Sequence, residues 1–174
     1  MRTLALAMLA ALVLAGGIFA YGWYAAQEVD TKLPRADRVL VDKSDRRLSL
    51  MRSGEVIKTY RISLGGNPSG HKQREGDERT PEGLYKLNSR NSRSRFFRSL
   101  HISYPNAEDR AQARAQGVSP GGDIMLHGSP NGWGWLAGFL ALWDWTDGCI
   151  AVHDGAIQEI WQAVPDGTPI EIRP

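Results

Sequence analysis

The rhythm of short extended runs between Arg38 and Leu64 constrains this chain most strongly. Arg38–Asp42, Leu48–Met51 and Val56–Leu64 carry β-branched and aromatic residues, with charges at their ends. Lys43–Arg46 and Ser53-Gly54 punctuate them as turns, so the segment predicts an antiparallel meander. Further runs of this kind follow at Gly83–Leu87, Leu100–Tyr104, Asp123–Leu126, Cys149–Val152 and Ile170–Ile172. Nineteen glycines and nine prolines in 174 residues supply the turns that a β-rich fold of short strands requires. Two helices interrupt the pattern. One spans Ala107–Gln116, capped at Pro105-Asn106 and stopped at Gly117; the other starts at Asp154 as N-cap and runs through Ile157, Ile160, Trp161 and Val164.

Ahead of the β-rich part, an uncharged run from Thr3 to Ala26 follows Met1-Arg2. At ~1.5 Å rise per residue it could cross a bilayer core of ~30 Å. Arg2 and the amino terminus favour a cytoplasmic start, which leaves everything after the run outside. The length of the run and the aromatic trio Tyr21, Trp23, Tyr24 favour an uncleaved anchor. Small residues at Ala20 or Ala25-Ala26 keep a cleaved signal peptide as its rival. Either reading exports the domain to the periplasm or cell envelope. The expected division is 1–26 anchor or signal peptide, 27–36 polar linker and 37–174 folded domain. A formal charge of +2 gives no ground for a nucleic-acid partner.

Two stretches lack a hydrophobic period. Gly65–Gly83 is a long polar loop whose His71, Lys72, Arg74 and Arg79 either are solvated or meet an anionic substrate group. Asn88–Arg98 sets Arg90, Arg93, Arg95 and Arg98 around Phe96-Phe97, as a basic surface or the lining of a polyanion site.

The residues that can do chemistry lie between Asp123 and His153. Cys149, the only cysteine, sits in a Thr-Asp-Gly-Cys-Ile turn, and His127 closes the apolar run Ile124–Leu126 just before Gly128. A lone cysteine can be a small buried hydrophobe and a lone histidine a satisfied core group. Yet thiol and imidazole are also the minimum for nucleophilic catalysis, and a sharp turn exposes the thiol beside free backbone N–H groups. One cysteine excludes an intramolecular disulfide. A zinc site from His127, Cys149 and His153 lacks a fourth ligand. Trp133, Trp135, Trp143 and Trp145 crowd into Asn131–Trp145, as a short buried helix, a wall or lid beside the thiol, or both.

Three blocks, in order, carry a resemblance over roughly 37–174. Gly76-Asp77-x-x-Thr80-Pro81-Glu82-Gly83-x-Tyr85 is similar to a G-D-x-x-T-P-x-G-x-Y pattern, and Ile124–Gly128 to an [IF]-x-[IL]-H-G strand end. Thr146-Asp147-Gly148-Cys149-Ile150 matches an [ST]-H-G-C-[IV] turn in all but one place. Together they resemble the L,D-transpeptidase catalytic domain of the YkuD type. The resemblance implies a mostly β fold: a sandwich or barrel of antiparallel and mixed strands with a few short helices. It implies peptidoglycan stem peptides as substrate and no cofactor or metal. Cys149 would be the nucleophile, His127 its base, the Gly128 carbonyl the partner of that base, and the backbone N–H groups around Gly148 and Cys149 the oxyanion hole. Thr146, Asp147, Arg79, Trp133 and Trp145 are candidate substrate contacts. Asp147 replaces a second histidine, and Ala151 replaces an arginine that would face a substrate carboxylate. The T-D-G-C-I-A pattern resembles a subgroup that includes hydrolases releasing a lipoprotein from diaminopimelate. Hydrolysis thus stands beside transfer to an amine acceptor, and a non-catalytic peptidoglycan-binding domain stands behind both.

Overall fold

The computed structural model describes the backbone of residues 2–25 and 29–174, and the side chains of 6–18 and 29–174. Eight strands form one mixed sheet: β1 Arg38–Asp42, β2 Arg47–Arg52, β3 Glu55–Arg61, β4 Gly83–Ser94, β5 Phe97–Ile102, β6 Met125–His127, β7 Ile150–Ala151 and β8 Thr168–Arg173. Their spatial order is β3-β2-β1-β8-β4-β5-β6-β7. The expected meander is present, with Val41 opposite Leu48 and Leu48 opposite Tyr60. Alternation explains why: Val39, Val41, Leu48 and Leu50 are buried while their neighbours face outward. The strand latest in sequence, β8, lies at the centre, parallel to β1 and antiparallel to β4.

The sheet curls until its ends meet. The third run was expected as one strand through Leu64, but its ladder with β2 stops at Arg61. The chain then crosses to β7, where the Ser63 and Ala151 amides each donate to the other's carbonyl at 2.9 Å. Thr146 N donates to Leu64 O at 3.1 Å, and Gly66 N to Thr146 O at 2.9 Å. The result is a half-barrel, with Leu87, Leu100, Ile102, Leu126, Ile150, Ile170 and Ile172 in its core.

Helix α2 (Ala107–Ala115) has the expected Asn106 cap; Asn106 Oδ1 accepts from Glu108 N and Asp109 N, and Asp109 answers with a bond from Asn106 N. Helix α4 (Asp154–Ala163) buries Ile157 and Ile160 on the sheet, but its N-cap is His153, whose Nδ1 accepts from Ala156 N at 3.1 Å. Asp154 instead accepts from Ser129 N at 2.8 Å. Between β6 and β7 a 3-10 turn (Gly134–Leu136) and α3 (Ala137–Leu140) form a small lobe. The expected linker is docked at both ends of its described part, where Asp30 N donates to Glu159 Oε1 and Ala36 N to Ala163 O.

The apolar run forms helix α1 (Arg2–Ala25), which packs against the lobe. Among the described residues no helix is long and apolar enough to cross a membrane. The anchor-or-signal expectation for 1–26 includes Tyr21, Trp23 and Tyr24, whose side chains lie outside the described residues, as do residues 26–28.

Candidate active site

Strands β6 and β7 run side by side in parallel, with Leu126 opposite Ile150 and His127 opposite Ala151. Leu126 and Ile150 point into the core, so Met125 and His127 share the other face with Cys149, the residue just before β7. Cys149 and His127 are diagonal neighbours there, and both line a cleft of about 640 Å³.

The half-buried thiol accepts from Met125 N at 3.4 Å and donates to Asp123 O at 3.7 Å. Burial pushes its pKa up, and the charges of Asp147 and Asp123 push the same way. The Met125 N–H and the Lys72 ammonium oppose them. His127 is buried, and its Nδ1 lies 2.7 Å from the Gly128 carbonyl oxygen. A carbonyl only accepts, so Nδ1 carries the proton and the lone pair of the neutral ring is on Nε2. Burial lowers the His127 pKa, with the Gly128 carbonyl pulling the other way. The resting pair at neutral pH is therefore a thiol and a neutral imidazole.

Aromatic rings enclose that imidazole. Phe96 lies 4.5 Å and Trp145 5.8 Å from its ring centre, and the two are 6.1 Å from each other. Phe96 sits at the tip of the β4–β5 hairpin, which Asn131 fastens to the loop after His127. Asn131 N donates to Arg95 O, its Nδ2 to Ser94 O, and its Oδ1 accepts from Phe97 N at 2.8 Å. Neither Phe96 nor Asn131 was a candidate from sequence. The hairpin is also longer than the expected Gly83–Leu87 strand, and it carries Arg93 and Arg95 to the cleft wall.

The nucleophile turn is built from close backbone approaches. Thr146 Oγ1 donates to Cys149 O at 2.7 Å and accepts from Gly148 N at 3.2 Å. The Gly148 N–H, expected as an oxyanion donor, is thus engaged within the turn, while the Cys149 N–H makes none of the turn's hydrogen bonds. Gly148 has φ +123°, and a Cβ there would lie 2.6 Å from Arg79 O. A Cβ on Gly65 would lie 2.0 Å from Glu78 O and 2.9 Å from Gly148 Cα.

The long polar loop is what the turn rests on. Burial alone would raise the Asp77 carboxyl, but it accepts from Lys72 Nζ (2.8 Å), Gln73 N (2.8 Å), Arg74 N (3.1 Å) and Arg79 N (3.1 Å), which together outweigh that and hold it down at about 2. Thr80 Oγ1, fully buried, accepts from Gly65 N at 3.1 Å. Buried Lys43 joins the loop's ends through Gly70 O, Thr80 O and Glu82 Oε1. The Gly-Asp-x-x-Thr-Pro block is therefore a support for the nucleophile turn.

Of the remaining candidates, Trp145, Thr146 and Asp147 line the cleft, whereas Arg79 and Trp133 do not. Arg79 faces a separate polar pocket with Asn67, Arg74 and Asp77. Trp133 stands exposed on the lobe. His153 Nδ1 caps helix α4, and no group of three His, Cys, Asp or Glu among the described residues could hold a metal ion.

Residues 36–172 match the family model of YkuD, the L,D-transpeptidase catalytic domain. The chain belongs to this family. It is 30% identical over 132 residues to the Escherichia coli (strain K12) protein named "Putative L,D-transpeptidase YafK", covering 72% of this chain and 46% of that protein. The chain thus spans about half the length of the curated relatives it matches. Bd1075 of Bdellovibrio bacteriovorus superposes with a TM-score of 0.56 at 26% identity, over 84% of this chain and 51% of that one. The helical cell shape determining protein Pgp2 of Campylobacter jejuni shares the fold, with a TM-score of 0.60 at 24% identity, over 90% and 55% of the two chains. The curled half-barrel is the YkuD architecture, and the paired β6 and β7 edges carry this L,D-transpeptidase domain's thiol and imidazole.

Proposed function

We propose that the chain is a cell-envelope cysteine acyltransferase acting on peptidoglycan stem peptides. The observation that carries this reading is the Cys149–His127 placement on one face, with Nδ1 committed to Gly128 O and Nε2 left as the base. The Cys149 proton moves to Nε2, and Sγ attacks the carbonyl at the L-centre of diaminopimelate. The Cys149 N–H, free of the turn's own bonds, holds the developing oxyanion, a contact of the kind worth ~3–4 kcal/mol. The C–N bond to D-alanine breaks, and the imidazolium proton leaves with the amine. An acceptor amine then attacks the thioester, giving its proton to His127 and restoring the thiol. Arg93 and Arg95 on the cleft wall take the place of the missing arginine at Ala151 and meet the stem's carboxylates.

A second reading uses the same nucleophile with water as acceptor, releasing D-alanine or a stem-linked lipoprotein. The exposed Asp147 carboxylate at the cleft favours it, because it can hold a water or repel an acidic acceptor. The test is incubation of the full chain in detergent with disaccharide-tetrapeptides and with lipoprotein-linked fragments, read by mass spectrometry. A Cys149-dependent thioester adduct with loss of D-alanine, then dimers, is the expected result. Release without dimers selects the hydrolase. Products unchanged by Cys149→Ala in both substrates defeat both readings and leave a peptidoglycan-binding domain.

A further inference from the structure

The apolar residues left outside the core are not scattered. Apart from Val56 and Leu84, every exposed large hydrophobic residue among those described lies on α1 or on the lobe between β6 and β7. The lobe contributes Trp133, Trp135, Phe139, Leu142 and Trp143. Trp135 is 63% and Leu142 60% exposed, although α1 already packs against α3. Phe139 and Leu142 meet α1 across an open apolar groove of about 830 Å³, so neither element hides the other.

Three features say what covers this surface. The α1 helix is apolar on every described side, with Leu6, Met8, Leu9, Leu12, Val13 and Leu14 all exposed, which suits a hydrocarbon environment and not a second folded protein face. The lobe's aromatics are dominated by tryptophan, the side chain favoured at the boundary between hydrocarbon and headgroups. The polar edge carries three arginines and an exposed carboxylate: Arg61 donates to Ala141 O at the rim, and Arg93 and Arg95 are exposed on the neighbouring hairpin, with Asp147 exposed beside the cleft. The lobe's one carboxylate, Asp144, is paired with Arg46 Nη2 at 2.7 Å.

We propose that the Trp133–Trp143 lobe is a membrane-docking surface that seats the domain on an anionic phospholipid bilayer beside α1. Because Trp145 lines the catalytic cleft and Trp143 belongs to the docking face, the mouth of the cleft lies next to the bilayer. Docking does not depend on which acyl acceptor the enzyme uses, so it can fail while the proposed chemistry stands.

The experiment places an environment-sensitive NBD fluorophore at Leu142→Cys, and separately at Glu55→Cys, in the full chain carrying Cys149→Ala. Glu55 starts β3, at the opposite end of that strand from Arg61. Each labelled chain is reconstituted into phosphatidylcholine/phosphatidylglycerol vesicles, with and without brominated acyl chains. The expected result is a blue-shifted emission at position 142 that loses most of its intensity to brominated lipid and resists iodide, with the converse at position 55. Water-like emission at 142 that iodide quenches would overturn the proposal. So would a probe at 142 shielded from both quenchers, because α1 or a second copy would then be the cover. Replacing Trp133, Trp135 and Trp143 by serine should abolish the brominated-lipid quenching at 142. Quenching retained in that variant also counts against the lobe.

Discussion

Removing Asp77 tests whether the polar loop is a structural support or merely a solvated connection. In Asp77→Ala, three backbone amides lose their acceptor and the buried Lys72 ammonium keeps only Arg74 O, at 3.1 Å. Breaking a buried ion pair from one side costs about 3–5 kcal/mol, and the retained Arg74 contact points to the lower end. For a domain of this size ~3 kcal/mol corresponds to a Tm drop of roughly 6–12 °C. The sign with pH is fixed as well. The carboxyl is held at about 2 against an ordinary 3.8, so its contribution is complete above 3.8 and disappears as pH falls through about 2. Calorimetry at neutral pH should therefore show the full difference between wild type and variant, and scans near the lower pH should show the difference closing. Adding Lys72→Met to Asp77→Ala should recover part of the loss, because the orphaned charge is gone. A Tm change under about 2 °C for Asp77→Ala, or a double variant as unstable as the two single losses added, would refute this account.

Gly148→Ala forces a Cβ to within 2.6 Å of Arg79 O at φ +123°, so the turn must move. A loss of about 2 kcal/mol or more in stability and near-complete loss of turnover are expected, checked by thermal unfolding and acyl-adduct mass spectrometry. His127 and His153 are both held below the ordinary 6.5, chiefly by burial. Stability should then be complete above 6.5 and fall as pH drops below it, with His153→Asn, which keeps a capping acceptor, reducing the slope in denaturant titrations across that window. Arg93→Ala and Arg95→Ala should each weaken binding of carboxylate-bearing stems, roughly tenfold in kcat/KM if one charge-assisted hydrogen bond of about 1.5 kcal/mol is lost. Tm should hardly change, and equal activity on stems lacking the carboxylate would be the matching control.

The residues most legible in the sequence were those whose local chemistry is unusual. Cys149 and His127 each stand at a strand end beside glycine, a signature independent of what the rest of the chain does. The meander was legible because one face is buried, which imposes period two on β1 and β2. Beyond Leu87 that signal fails, since nothing from Asn88 to Ser94 is buried and the arginine-rich stretch has no face to declare. Phe96 and Asn131 meet their partners from far along the chain, and no spacing announces such a contact. The bonding of Gly148 was illegible for a subtler reason. Its N–H is free in a bare turn, but the Thr146 hydroxyl two residues earlier claims it, and only the folded turn reveals that competition. His153 took the cap expected of Asp154 because the loop from β6 drew Asp154 away through Ser129 N.

The central position of β8 has a consequence for the order in which the molecule assembles. Two groups of strands, β3-β2-β1 and β4-β5-β6-β7, have no shared ladder until residues 168–173 arrive between them. A chain appearing from its amino end can therefore form a hairpin or a helix early, but its halves can then meet only through isolated bridges such as Ser63–Ala151 and not through a continuous ladder. The Cys149 turn is bridged to the segment after β3 from the other side, a contact that does not involve β8. A lasting nucleophile geometry is thus expected of the complete domain and not of a partly made one, since β8 supplies the ladders that tie the two halves of the sheet together.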